Sequence, residues 1–178
     1  MTTGANHEMP KRRKPLWPVI AIILAAVAVL VTNLVVHWYT QPQPDYTWLE
    51  PGLYLGGYVD DPPPNTQAVL NLSLHKDPYK VKHHRWKPIR DASPAPELDW
   101  LREQVDFVRE QRQAKRTVYI HCFAGVSRGG MVTVAYYMHR EGWTRDQALA
   151  HVRKRRPQVR PNPAFMELLL EWEQHLAK

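Results

Sequence analysis

The chain has 178 residues, 44% of them hydrophobic, which is room for one packed domain and an appendage. Its net charge of +7 is unevenly spread. Lys11, Arg12, Arg13 and Lys14 against Glu8 supply +3, and the +4 left from Pro15 onward is too modest to mark a nucleic-acid-binding protein. Cys122 is the single cysteine, so an intrachain disulfide and a structural zinc site of cysteines are both excluded.

Residues 1–14 are polar, unpatterned and basic at their end, and are expected to be disordered. From Pro15 to Val36 there follow 22 residues without a charge, and a membrane-spanning helix needs about 20. Trp17 stands near one end and Trp38-Tyr39 near the other, where amphipathic rings favour the two interfaces. A cleaved signal peptide would have an apolar stretch of about 7–15 residues ending in a small-residue cleavage site, and Asn33-Leu34-Val35-Val36-His37-Trp38 offers none. The expectation is one transmembrane helix over residues 15–38. Four cations precede this run and the first one after it is Lys76, so the positive-inside rule leaves the N-terminus cytoplasmic and the rest extracytoplasmic. Residues 39–45 form a linker containing the stiff Gln41-Pro42-Gln43-Pro44, and residues 46–178 form the globular domain.

The domain opens with two short strand-like pieces between Trp48 and Tyr58, hinged at Pro51-Gly52 and Gly56-Gly57. Asp60 to Asn65 is a turn cluster, and Ala68 to Ser73 reads as a core strand. His75 to Arg85 reads as a polar, basic surface connection that includes His83-His84. Arg85 to Ile89 reads as a short strand leading into the Pro-rich loop Arg90 to Pro96. Leu98, Leu101, Val105 and Val108 mark one helical face. Thr117 to Ile120 is a β-branched and aromatic strand, and a helical pattern resumes at Gly130 and closes at Gly142. Thr144 to Gln147 forms a capping box for the next helix, which runs into Arg153-Lys154-Arg155-Arg156. Those cations complement a helix C-terminus, with attraction to acidic substrate or lipid headgroups as the functional alternative. Asn162 caps a last helix with Pro163 at its first position.

Between the central strand and the helix after it lies His121-Cys122-Phe123-Ala124-Gly125-Val126-Ser127-Arg128. A tight loop at a helix N-terminus directs backbone N–H groups and a positive dipole end at one centre, which binds anions. The same field favours the thiolate form of a cysteine placed there. A guanidinium six positions on can fork across two phosphate oxygens. A nucleophile, a ring of amides and a planar cation around one anion together point to phosphoryl transfer.

This stretch resembles the HC-x-x-G-x-x-R signature of cysteine-dependent protein phosphatases, and its surroundings resemble their dual-specificity branch. Ala135-Tyr136-Tyr137-Met138, Leu53-Tyr54-Leu55-Gly56, Val69-Leu70-Asn71-Leu72-Ser73 and Arg160-Pro161-Asn162-Pro163-Ala164-Phe165 are similar to that branch in the same order. The resemblance covers roughly residues 46 to 176, the usual size of one domain. It implies an α/β cysteine-phosphatase fold, a central mostly parallel sheet flanked by helices. It implies Cys122 as nucleophile and Arg128 as the phosphate fork. The amides of Phe123, Ala124, Gly125, Val126 and Ser127 would join Arg128 as the substrate-binding ring, with His121 orienting the loop. Asp91, 31 residues before Cys122 on a Pro-rich loop after a strand, matches the family's general acid; Asp77 and Asp99 are weaker rivals. No metal and no cofactor is implied, and the nine histidines show no ligand spacing.

One departure bears on turnover. The family usually carries Ser or Thr directly after the arginine, where its hydroxyl stabilises the departing thiolate; here the position is Gly129. The expected partner is a phosphorylated protein or peptide. Two alternatives are a phospholipid headgroup as substrate and a phosphate-binding module without turnover. A sulfur-transferring rhodanese-like domain fits the arginine spacing and the flanking stretches less well.

Overall fold

In a computed structural model the chain divides into two units, residues 1–43 and 44–178. The residues described are 16–40 and 45–178, without the side chains at 18, 35 and 37–40. The disorder expected over 1–14 and most of the linker expected over 39–45 therefore lie outside the described residues.

In the first unit, helix α1 covers Trp17–Thr40 and carries exposed apolar side chains such as Ile22, Leu24 and Leu34. Among the described residues no helix is long and apolar enough to cross a membrane, so the transmembrane helix expected over 15–38 finds no support there.

The second unit is built on five strands: β1 (Tyr46–Glu50), β2 (Leu53–Gly56), β3 (Thr66–Asn71), β4 (His83–Trp86) and β5 (Thr117–His121). They lie in the order β1-β2-β5-β3-β4. β1 and β2 are antiparallel, as consecutive strands joined by a tight turn must be, and Gly52 there takes a φ of 78°. The three other pairings are parallel, so the sheet is mixed. Gly56, His121, Asn71 and Trp86 pair in one row across its carboxyl end, and that is the edge where open α/β sheets place their sites.

Four helices complete the unit: α2 (Leu98–Gln113), α3 (Arg128–Glu141), α4 (Arg145–Arg155) and α5 (Pro163–Leu176). Alternation along the strands divides the burial. Leu53, Leu55, Ala68, Leu70, Val118 and Ile120 join the buried faces of the helices in one core. Val69 and Tyr119 point the other way, into a smaller cluster with Val59 that Tyr46, Tyr54, Tyr79 and Val81 cover. Every residue of α3 from Arg128 to Met138 is buried, because this helix packs on β2, β5, α2, α4 and α5 together. An all-round buried helix needs no polar stripe, which is why the sequence shows an apolar run there.

The helix ends follow the local chemistry. Gly142 closes α3 in the left-handed region at φ 66°. Thr144 and Gln147 form the reciprocal capping box of α4, and the Asn162 side chain accepts from the Phe165 N–H at the start of α5. One strand differs from expectation. The segment expected as a strand over 85–89 is instead β4 at His83–Trp86, so His83 and His84 are strand residues rather than loop. An edge strand with one exposed side lacks the apolar alternation that marks buried strands, and its pairing with β3 decides it.

Candidate active site

β5 delivers His121 and Cys122 to the carboxyl edge of the sheet, and α3 begins at Arg128, so the loop between them bridges a strand end and a helix start. Cys122 lies at the base of this loop, 1% exposed. What shapes the loop is where its carbonyls go. The Phe123 carbonyl accepts from the Tyr58 N–H at 2.9 Å, and that of Val126 from the Arg160 N–H at 3.0 Å. Arg156 donates to the Ala124 carbonyl through Nη2 at 3.0 Å and to the Gly125 carbonyl through Nε at 2.9 Å. The Ser127 carbonyl accepts from the Met131 N–H inside α3. In a trans peptide the C=O of one residue and the N–H of the next point in opposite directions. Five carbonyls held by the surrounding scaffold therefore turn the N–H groups of Ala124, Gly125, Val126, Ser127 and Arg128 to the other side, as an anion-binding ring requires.

Gly125 makes the turn possible. Its φ is 61°, and a Cβ there would stand 2.4 Å from the Gly56 carbonyl oxygen and 2.7 Å from Arg156 Nη2. Arg156 itself is buried at 2% and also bonds Thr47 Oγ1 at 3.1 Å and Asp45 Oδ1 at 2.5 Å. A buried guanidinium is tolerated because its donors are matched by a carboxylate, a hydroxyl and two carbonyls.

Arg128 folds back into the protein and is 9% exposed. Its Nη1 donates to the Ile89 carbonyl at 3.2 Å and the Leu72 carbonyl at 3.4 Å, while its Nε has no hydrogen-bond partner among the described residues. The Nε lies 3.5 Å from Asp91 Oδ2. Asp91 Oδ1 accepts from Ser127 Oγ at 2.6 Å and from Asn162 Nδ2 at 2.9 Å. The Ser127 hydroxyl accepts in turn from the Asn162 N–H at 3.1 Å. Cys122 and Arg128 thus terminate one loop, and a carboxylate is fastened beside its arginine end.

On the other side of the cysteine, His121 is fully buried and stacked on Tyr119 at 4.8 Å between ring centroids. Its Nδ1 faces the Cys122 carbonyl at 3.3 Å, and its Nε2 lies 3.1 and 3.4 Å from the two carboxylate oxygens of Asp77. Asp77, weighed from sequence as a rival general acid, is 1% exposed in its side chain and is held between His121 and His84. Burial alone would raise its carboxyl, but the hydrogen bond and charge of His121, with bonds from His84 and Asn71, outweigh that and hold it below its ordinary 3.8. Asp99 pairs with Arg102 on the exposed side of α2 and does not reach the loop.

The loop residues and their flanks carry a known family pattern. The dual specificity phosphatase catalytic domain matches residues 53–175. The chain belongs to this family. Dual specificity protein phosphatase Mpk3 of Drosophila melanogaster is 46% identical over 74 residues, 42% of this chain and 18% of that protein. Dual specificity protein phosphatase 1 of Homo sapiens is 32% identical over 108 residues, 60% of this chain and 29% of that protein. The chain thus spans less than a third of the length of these relatives. Among solved structures, human DUSP28 superposes with a TM-score of 0.69 at 21% identity, covering 77% of this chain and 98% of that one, a likeness of fold.

Within this dual-specificity phosphatase domain, four side chains at the loop carry no sequence signal of their role. Arg156 sits among four successive cations, of which it alone is buried; Arg155 instead lies over the Trp48 ring and Arg153 donates to the Val159 carbonyl. The basic cluster is therefore more than a complement to a helix end, and its buried member holds the loop. Asn162 reads as a helix cap and is one, yet its Nδ2 also fastens Asp91. Asp77 precedes a proline in a polar connection, and Asp45 stands at the linker boundary. Gly129, which replaces the family's hydroxyl, packs tightly: a Cβ there would meet Leu55 Cδ1 at 3.0 Å, with the Cys122 nitrogen 3.7 Å away.

Proposed function

We propose that the domain hydrolyses phosphate monoesters of phosphotyrosine, and of phosphoserine or phosphothreonine, through a phosphocysteine. The observation that supports this reading is that all five carbonyls from Phe123 to Ser127 accept hydrogen bonds from neighbouring donors, which frees the opposed N–H groups for a phosphate. The amides and the Arg128 fork hold the three equatorial phosphate oxygens, where charge accumulates in the transition state. The Cys122 thiolate forms the S–P bond as the P–O bond to the leaving group breaks, and protonated Asp91 gives its proton to the departing oxygen. In the second step the Asp91 carboxylate takes a proton from water. That water's oxygen forms a bond to phosphorus, the S–P bond breaks, and inorganic phosphate and the thiolate are released. No step calls for a metal.

The same reading makes residues 15–38 a membrane anchor, with the N-terminus cytoplasmic and the catalytic domain outside the cytoplasm. Its support is the 22-residue uncharged run after Lys11-Arg12-Arg13-Lys14. Protease added outside intact cells expressing the full chain is expected to digest the domain; protection until the cells are opened would reverse the orientation, and loss from the membrane fraction would remove the anchor.

For the activity, the full chain is expected to hydrolyse p-nitrophenyl phosphate and a phosphotyrosyl peptide without added metal, and Cys122→Ser to abolish both. Peptide binding without turnover by the unaltered chain would make the domain a phosphate reader. Turnover of phosphoinositide vesicles but not of peptides would move the substrate to a lipid headgroup.

A further inference from the structure

We infer that Asp77 is a positioning residue for the cysteine. It holds His121 with an N–H on each ring nitrogen, so that a cationic imidazole stands against the Cys122 backbone. The inference rests on the reading of Cys122 as nucleophile and adds to it a residue outside the loop signature.

The argument begins with the two nitrogens of His121. Nδ1 faces a carbonyl oxygen, that of Cys122, and Nε2 faces a carboxylate, that of Asp77. A neutral imidazole has one donor and one acceptor nitrogen, so it would oppose a lone pair to one of these two acceptors. The protonated ring satisfies both. A buried imidazolium needs a counter-charge, and the only carboxylate at hydrogen-bond distance among the described residues is Asp77. The pair is neutral as a unit, but its positive end faces the Cys122 carbonyl at 3.3 Å and its negative end lies on the far side of the ring. A thiolate at Cys122 therefore meets the cation first.

The surroundings favour a fixed ring. Tyr119 stacks on one face of it, and the Tyr119 hydroxyl is occupied by the Gly57 carbonyl at 2.5 Å. Asp77 Oδ2 is held from its other side by His84 Nε2 at 2.7 Å, on the edge strand β4. Tyr79, whose phenol is pushed well above its ordinary value by burial and by the Asp77 charge, faces the same carboxylate and stays neutral. Burial likewise pushes the Tyr119 phenol up, with Tyr79, Asp45 and Asp77 adding to it and Arg156 opposing it. The other charged or ionisable groups around the pair are His84, Lys76 and Lys80 beside Asp77, and Asp45 and Arg156 beyond Tyr119. On the far side of the cysteine stand Arg128 and Asp91. His84 is 29% exposed in its side chain and opens on a cavity of about 420 Å³ lined in part by Lys76, Lys80 and Trp86, so the arrangement runs from solvent through His84 and Asp77 to His121.

Because Cys122 is the single cysteine, iodoacetamide alkylation of the full chain followed by mass reads its thiolate alone and needs no turnover. Asp77→Asn is expected to move the pH midpoint of alkylation upward by about one unit, about tenfold in thiolate below the midpoint. In a His121→Gln background the same substitution is expected to move it no further, because its route through the imidazole is gone. An Asp77→Asn midpoint within about 0.2 unit of the unaltered chain, or an equal shift with and without His121, would overturn the inference. Should Asp77→Asn fail to fold, the unaltered chain supplies the second measurement. Its 15N-resolved imidazole spectrum near neutral pH is expected to show two slowly exchanging N–H resonances that vanish in His121→Gln, and a single one would sink the inference. Failure of the phosphatase reading shows itself separately, as a chain whose cysteine titrates as described yet turns over no phosphate ester.

Discussion

The hydroxyl of Ser127 and the carboxylate of Asp91, 36 residues apart, are joined by a hydrogen bond of 2.6 Å. It links the arginine end of the loop to the segment after β4, so the phosphate ring and the proposed proton donor are one assembly. Ser127→Ala removes this bond and leaves the carboxylate to Asn162. The expected result is a fall in kcat/KM of about tenfold for an alkyl phosphate, whose leaving oxygen needs a proton most, and a smaller one for an activated aryl phosphate. Steady-state kinetics on the two esters make the check, and equal losses on both would place the effect in binding instead.

Gly125 meets two constraints at once, a φ of 61° and a backbone 2.4 Å from where its Cβ would stand. Gly125→Ala has nowhere to relax, because the obstructing atom is the Gly56 carbonyl oxygen rather than a flexible side-chain end. A loss of about 2 kcal/mol or more is expected, together with loss of phosphate binding. Urea unfolding measures the first and competitive inhibition by vanadate the second.

Gly129 leaves the departing thiolate without the hydroxyl that the family usually supplies, so the phosphocysteine is expected to accumulate. Rapid-quench mixing with an aryl phosphate should then show a burst of leaving group approaching one equivalent of enzyme, followed by a slower steady rate. Gly129→Ser is expected to restore little of the second step, since its Cβ presses on Leu55 Cδ1 at 3.0 Å. Pairing it with Leu55→Val relieves that contact and is expected to reduce the burst amplitude. A linear time course for the unaltered chain would dismiss the slow second step.

Arg156 fills its site with four bonds to Asp45, Thr47, Ala124 and Gly125. Arg156→Met keeps much of the volume but leaves two loop carbonyls and a carboxylate without a partner, at an expected cost of about 3 kcal/mol. Because the carbonyls of Ala124 and Gly125 would be free to rotate, a fall in kcat of more than tenfold is expected even where the variant is fully folded. Circular dichroism and a turnover assay at the same temperature separate the two effects.

The folded Asp77 carboxyl titrates below its ordinary 3.8, so it binds fewer protons than in the unfolded chain at mildly acid pH. Its stabilisation is complete above that ordinary value and is lost as the pH falls through the lower folded one. Asp77→Asn lacks this contribution. Urea unfolding is therefore expected to show the unaltered chain ahead near neutral pH, with the gap narrowing as the pH drops below the ordinary carboxyl value of 3.8. A gap that stays constant into that range would show that Asp77 contributes no linked ionisation.

Much that lies within a few residues was legible in the sequence, because it is local physics. Gly125, Gly142, the capping box at Thr144 and the cap at Asn162 each answer to backbone geometry within one turn. The run from Thr117 through Arg128 likewise declares a strand, an anion loop and a helix start. The strand expected over 85–89 was placed two residues late, because an edge strand of His83, His84, Arg85 and Trp86 has no apolar alternation and its pairing with β3 sets its bounds.

What only the tertiary structure decided are the partners brought in from afar. His121 meets Asp77 across 44 residues, and Gly125 meets Arg156 across 31. Neither Asp77 nor Arg156 differs in kind from the charged residues beside it, since Asp77 follows Lys76 and Arg156 closes a run of four cations. A buried charge is stabilised by its counter-charge and by exclusion of water, and both exist only after the chain has folded. The sequence therefore pointed to the atoms proposed to touch a phosphate, while folding chose the ones that hold them in place.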